Sequence, residues 1–341
     1  MKNIDLSFIF LIIGSIIGAG FSSGKEISVF FSGAGKFSYF IIFLVIIFLY
    51  LVIKNLIMLG QKIKSNNIKQ LNKILFKKTS KFFNTFILFG LFVFVTAMVA
   101  GLNSIGNLIF QNINFPVLTI ISILFTLFIV NIGYDAIKKV NYILMPIVLI
   151  FLIFLSVYNF IINVNFNIDI FVSNIDIFKY LCLGVCYISY NIVFSSSLIV
   201  ENSKTFSKKQ TKVNSLLITI IIGFLILLIN LALLHLKSTE FNSDMPMLIM
   251  AFNINNLIGY LFGFVLWFSV LTSLISSLYM LINAFKINKF FSSCLFLSFA
   301  FIFSFFGFNY IVNIFYPLQG LIGLIYIFKV FQFNFKQNVF C

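Results

Sequence analysis

One stretch limits the possible folds of this chain more than any other: Leu11–Phe31, LIIGSIIGAGFSSGKEISVFF. It begins as an apolar helix, meets Gly14, Gly18, Gly20 and Gly24, and then places Lys25 and Glu26 before apolar residues resume. Glycine weakens a helix because it loses the most backbone freedom on ordering. A charge at mid-bilayer costs at least about 2.5–3.5 kcal/mol on insertion scales. Together these features predict two half-helices joined by unwound backbone. Such a break is tolerated only where protein buries it or where it lines a water-filled cavity. The glycines would also suit a close helix contact, but packing alone does not explain Glu26.

Composition sets the class. Of 341 residues 61% are hydrophobic and 9% charged, and the mean hydropathy is +1.13, values no soluble fold reaches. The expected fold class is an all-α polytopic membrane protein, one transmembrane domain spanning residues 1–341. The net charge of +15 comes from 23 lysines without an arginine. These sit in short loops between apolar spans and report topology, so nucleic acid is not an expected partner. The lipid bilayer is.

Ten spans of about 20 residues follow in order. They are Leu6–Phe31, broken near Gly18–Gly24, then Phe37–Leu59, Phe82–Phe110, Pro116–Gly133 and Asn141–Ile162. The second five are Ile177–Val200, Val213–Leu236, Leu257–Phe285, Phe290–Phe306 and Ile311–Phe328. Gly60–Lys81 reads as a polar loop with seven lysines, Tyr134–Val140 as a tight loop, and Met247–Asn253 as a short helix lying at the surface. Lys2 before an apolar run resembles a signal peptide, but the run continues into the glycine break without a cleavage site. With the N-terminus inside, inner loops and ends hold 18 of the 23 lysines. Outer loops hold Lys36, Lys179 and Lys237 beside Asp169, Asp176, Glu240 and Asp244. The positive-inside rule therefore predicts a plasma-membrane protein with both termini cytoplasmic.

An odd number of spans per half forces opposite orientations, the condition for a 5+5 inverted repeat, here about 5–163 and about 177–329. The sixth span should then answer the first with its own break at Gly184–Asn191, where Tyr187, Ser189, Tyr190 and Asn191 are unusually polar. These are expected to line a solute site, although such groups also bond neighbouring helices. Cys182 and Cys186 share a helix face, but Cys294, Cys341 and the lone His235 add no further ligand, so no transition-metal site is expected.

GSIIGAGFSSGKEISVFF, with KKVNYILMP, CYISYN and FNYIVNIFYPLQGLIG, resembles the YkvI-like membrane proteins of the amino acid–polyamine–organocation transporter superfamily. Gly18, Ala19, Gly20, Phe21, Ser23, Gly24 and Glu26 match the Gly-Ala-Gly-Phe-x-Ser-Gly-x-Glu pattern of that family, while Lys25 stands where glutamine is expected. The resemblance covers nearly the whole chain and implies the LeuT-type fold, with helices 1 and 6 broken. It also implies a sodium site using freed carbonyls at Gly14 and Ile17 with a hydroxyl pair, Thr272 and Ser273.

Freed N–H groups at Gly18, Ala19, Gly20 and Phe21 suit a carboxylate. Glu26, the one carboxylate inside an apolar span, is a coupling or gating candidate, as are its neighbour Lys25 and, at the inner mouth, Asp5. No other cofactor is expected beyond Na⁺ or H⁺ as coupling ion. Three function classes follow. A secondary symporter of a small polar solute such as an amino acid, working by alternating access, fits best. A ligand-sensing subunit on a transporter scaffold, like germinant-receptor subunits, is the alternative. A membrane enzyme lacks a nucleophile–base pair or metal-ligand spacing, and no phosphate-binding loop of an ATP-driven pump is present.

Overall fold

The computed structural model describes residues 4–339 except 64, 66, 111–115, 163–175 and 286–287. Most of the expected outer loop Asn163–Asp176, together with Cys341, therefore lies outside the described residues. All regular structure among the described residues is helical. The first span comprises α1 (Leu6–Ile16), α2 (Ala19–Ser22) and α3 (Lys25–Phe30). There follow α4 (Ser38–Lys62), α5 (Ile68–Phe76), α6 (Ser80–Ile109), α7 (Val117–Ile132) and α8 (Tyr134–Ile162). The second half has α9 (Ile177–Asn202), α10 (Lys208–Leu233), α11 (Ser238–Phe241), α12 (Pro246–Ile254) and α13 (Asn256–Asn283). It closes with α14 (Lys289–Ser304), α15 (Phe308–Tyr310) and α16 (Tyr316–Val339), the last two joined by a π turn at Ile311–Phe315.

Among the described residues, seven helical segments are long and apolar enough to cross a membrane: Ser32–Lys62, Ile68–Ile109, Tyr134–Ile162, Ile177–Asn202, Lys208–Leu233, Asn256–Asn283 and Phe308–Lys336. Leu6–Ile16, Val117–Ile132 and Lys289–Ser304 are shorter apolar helices.

The first span breaks twice. α1 stops where Ile17 leaves helical geometry (ψ 86°) and Gly18 is extended. One turn later Gly24 takes φ +80°, a left-handed conformation that favours glycine, and α3 restarts at Lys25. The single unwound stretch expected from the sequence is thus two bends around the one-turn α2.

The sixth span does not break. α9 runs without interruption through Gly184–Asn191, contrary to the expected second break. Three of its polar side chains bond their own helix: Ser189 Oγ donates to Val185 O (2.7 Å), Asn191 Nδ2 to Tyr187 O (3.1 Å) and Ser195 Oγ to Asn191 O (2.9 Å). Groups satisfied by back-bonding need no unwinding. Gly184 is the one glycine in α9, and it serves close packing on Val45 and Phe31.

Three further segments differ from the sequence reading. Tyr134–Val140 is the first turns of α8, separated from α7 by Gly133 alone (φ +121°). The polar segment Gly60–Lys81 contains α5, which buries Ile68, Leu71, Leu75 and Phe76 while Lys73 stays exposed. The short helix α12 is not a surface element. Met247, Leu248, Met250 and Ala251 are buried, and the Met247 N–H donates to the Ser23 carbonyl at 2.9 Å. It covers the second bend, where Leu233 and Met247 crowd Gly24.

Hydrogen bonds gather the helix ends into two opposite faces. On one, the Asp5 N–H donates to Asn214 Oδ1 (3.1 Å), Gln61 Nε2 to Thr211 Oγ1 (2.7 Å) and Asn334 Nδ2 to Asn55 O (2.8 Å). On the other, Lys25 Nζ donates to Asn242 O (3.0 Å), Ser104 Oγ to Asp244 Oδ2 (3.1 Å) and Asn159 Nδ2 to Ala232 O (3.1 Å). Between them α9 packs on α4 and α16, and α13 on α6 and α8, enclosing the broken span.

Candidate solute and ion site

Every residue from Leu11 to Ser28 is buried, so the two bends lie at the centre of the protein. In an uninterrupted helix the Gly18 N–H would donate to the Gly14 carbonyl. Here it donates to Ile16 O (3.0 Å), leaving the Gly14 carbonyl without its helical partner. A hydroxyl of α13 takes that place. Ser273 Oγ lies 2.9 Å from Gly14 O and 3.0 Å from Ile17 O. Ser269, one turn earlier, places its hydroxyl 3.1 Å from Ile17 O and 3.5 Å from Gly18 O, and also meets Ser22 Oγ.

Glycine permits this approach. A Cβ at Gly18 would lie 2.8 Å from Met98 Sδ and 3.1 Å from Ser273 Oγ; one at Gly14 would lie 1.9 Å from Asn141 Oδ1. The resulting group of neutral oxygens is of the kind that replaces part of a cation's hydration shell without a buried charge. Of the expected hydroxyl pair, Ser273 reaches the freed carbonyls. Thr272 donates instead to Ser269 O within α13 (2.8 Å) and lies 3.5 Å from Met145 Sδ. Adjacent residues point about 100° apart on a helix, whereas Ser269 and Ser273, four apart, share a face.

On the other side of α2 stands Glu26. It is 1% exposed and folds back on Gly20, where a Cβ would lie 2.2 Å from its Oε1. Its Oε2 has no hydrogen-bond partner in the protein. The Tyr190 hydroxyl turns toward this carboxyl without reaching hydrogen-bond geometry, and Tyr187 and Tyr316 stand close enough to feel the same charge. All three tyrosines are buried, and all three hydroxyls are unpartnered. Their rings pack together: Tyr190 lies 4.7 Å from Tyr316 and 5.7 Å from Tyr187, and Phe30 and Phe31 close the cluster. Buried polar groups are costly when unpaired. One carboxyl oxygen and three tyrosine hydroxyls thus stand buried and unpartnered in a single cluster.

The remaining predicted residues scatter. Ala19 N–H reaches only Met98 Sδ (3.4 Å), and Gly20 and Phe21 complete the single turn of α2. The half-helix dipole invoked for a carboxylate is cut short, since Gly24 ends α2 after four residues. Asn191 is buried with Oδ1 unpartnered. Ser189 packs against Gly323 of α16, not against the bends. Lys25 and Glu26 diverge, with Lys25 turned to the loop carbonyl of Asn242. Asp5 is the N-cap of α1 and accepts from the Phe8 N–H at 2.9 Å. Cys186 packs on Gly320 while Cys182 is exposed, and no group of three potential metal ligands occurs among the described residues.

Sequence reasoning missed Ser269, Ser22, Tyr316 and Asn141. The i, i+4 spacing of Ser269 and Ser273 was a usable signal. Nothing local marked Tyr316.

No protein-family model matches the chain. It is 24% identical over 328 residues to the uncharacterized membrane protein YkvI of Bacillus subtilis (strain 168), covering 92% of both chains. Three solved structures share the fold. MhsT in complex with L-phenylalanine superposes with a TM-score of 0.68 at 15% identity, over 93% of this chain and 87% of that one. Mhp1, a nucleobase-cation-symport-1 family transporter with bromovinylhydantoin bound, gives 0.60 at 12% identity, over 91% and 74%. A manganese transporter of Eremococcus coleocola gives 0.62 at 14% identity, over 95% and 78%. Mhp1 and the manganese protein are described as transporters. In sequence the chain is similar to YkvI, and its fold is the one these solved structures share.

Proposed function

We propose that this protein is a secondary active transporter that couples Na⁺ to the movement of a small polar solute, an amino acid by preference, through alternating access. The observation that carries the reading is the Ser273 hydroxyl seated against the Gly14 and Ile17 carbonyls that the break sets free. A cation bound there would tie α13 to the broken span, and its loss would let the two part. The solute would lie beside α2, its ammonium toward Glu26 and the tyrosines, and its carboxylate toward the N–H groups of Ala19 and Gly20. MhsT, whose fold is similar, is described with L-phenylalanine bound, which favours an amino acid.

The seven long and three shorter apolar helices suit ten crossings arranged as 5+5 repeats about this site. The lysine-rich face carrying α5 would be cytoplasmic, with both termini on that side of the cell membrane. Glu26 also supports a second reading, H⁺ as coupling ion, because a carboxylate can carry a proton between the two faces.

Uptake of labelled L-amino acids into proteoliposomes, with Na⁺ and H⁺ gradients varied separately, tests this. Uptake driven by an inward Na⁺ gradient is expected. Absence of uptake across the whole panel under either gradient would overturn the carrier reading.

A further inference from the structure

We propose that the cleft between α5 and the end of α16 is a binding site for the phosphate of an anionic phospholipid. The cleft has a volume of about 390 Å³, within the size range of small-ligand sites. Lys77, Lys329 and Lys336 line it, with Thr79 and Gln332 as further polar groups and Leu75, Phe76 and Phe333 as its floor. No carboxylate is among its lining residues.

The three ammoniums come from segments far apart in sequence. Lys329, Gln332, Phe333 and Lys336 recur at i, i+3, i+4 and i+7, so α16 presents them on one face. Lys329 Nζ donates to Gln332 Oε1 at 3.0 Å, which fixes its head within the cleft wall. Lys77 comes from the turn that joins α5 to α6. It has φ +47°, the one described residue other than glycine in the left-handed region. A side chain rarely adopts that conformation, and here it coincides with a cleft-lining charge. Strained residues of this kind cluster at binding sites. Packing holds the turn, because Phe76 stacks on Phe83 with ring centroids 3.8 Å apart and meets Tyr326 of α16.

The surroundings select a lipid over a soluble phosphate. Phe82, Phe328 and Phe335 are 61%, 64% and 72% exposed on α6 and α16, helices that the apolar pattern places in the bilayer. Phe328 and Phe335 are the sequence neighbours of Lys329 and Lys336, so exposed rings for acyl chains accompany the charges that would hold the phosphate. Basic pockets between membrane helices on the cytoplasmic side take anionic headgroups, each nearby lysine adding to the attraction. A solvated lysine face would need neither the cleft nor the left-handed Lys77. This inference is independent of the transport reading, since lipid retention requires no solute.

The test uses the full chain in nanodiscs of phosphatidylcholine, with and without phosphatidylglycerol, read by thermal unfolding and by native mass spectrometry of retained lipid. Phosphatidylglycerol is expected to raise the unfolding midpoint and to remain bound. Lys77→Gln with Lys329→Gln and Lys336→Gln should lose that shift and retain the lipid roughly a hundredfold more weakly. The same triple variant should unfold normally in phosphatidylcholine alone, which separates loss of lipid from loss of fold. Lys208→Gln with Lys209→Gln and Lys212→Gln removes equal charge from the exposed start of α10 and should keep the shift. An equal loss in both triple variants, or no shift in the unaltered protein, would overturn the site. Inorganic phosphate reproducing the shift in phosphatidylcholine would overturn the lipid as its occupant.

Discussion

Ser273 Oγ lies 2.9 Å from the carbonyl oxygen of Gly14, a contact across 259 residues that joins α13 to the broken first span. It exists because Gly18 N–H has abandoned that carbonyl for Ile16 O. Unwinding in one helix and a hydroxyl in another are thus two halves of one polar site.

Ser273→Ala should abolish Na⁺-stimulated uptake while the solute still binds. It leaves the buried Gly14 carbonyl without its hydroxyl, while Ile17 O keeps that of Ser269, and should also lower stability by about 1–3 kcal/mol. Ser269→Ala should weaken the apparent Na⁺ affinity, since its hydroxyl meets the same Ile17 carbonyl. Uptake against Na⁺ concentration in proteoliposomes checks both, and full Na⁺ stimulation in Ser273→Ala would refute the sodium assignment.

Glu26→Gln keeps the shape of the side chain and removes its charge. Hydrogen bonds to charged groups are worth about 1.5–3 kcal/mol, so the KM for an amino acid should rise roughly tenfold or more. Saturation kinetics measure this. An unchanged KM with a flattened pH profile would move Glu26 from solute binding to proton coupling.

Gly20→Ala should disrupt the site more than the Glu26 change does. The new Cβ would lie 2.2 Å from Glu26 Oε1, forcing the carboxyl out of the tyrosine cluster. Gly24→Ala should lower the unfolding midpoint as well. Its φ of +80° is strained for alanine by about 1 kcal/mol or more, and Met247 Cγ would lie 2.9 Å away. Thermal unfolding of the purified variants, set beside uptake, separates the two effects.

Lys237→Cys in a cysteine-free background should react with an impermeant maleimide added to intact cells. Lys73→Cys should react only after permeabilisation, because it lies on the opposite face with α5. The reverse pattern would invert the orientation.

Much of the first span was legible without coordinates. Four glycines and two charges within an apolar run mark a helix that cannot continue, and the carbonyls of Gly14 and Ile17 follow from where it stops. The sixth span was misread on the same logic: its polar cluster suggested a break. Ser189, Asn191 and Ser195 instead donate to carbonyls of their own helix, and α9 continues. A hydroxyl in sequence does not reveal which carbonyl it will choose.

Membrane class, apolar helices and the place of the break can all be read from the order of the residues. Hydropathy and glycine content act locally, through the cost of burying charge and of ordering backbone. Helix packing, by contrast, sets Ser269 beside Ser273 at the freed carbonyls while Thr272 turns to Met145. It alone enclosed Glu26 among Tyr187, Tyr190 and Tyr316, and set α12 over Gly24. These outcomes depend on the rotation of each helix about its axis and on contacts between distant segments, and local composition encodes neither.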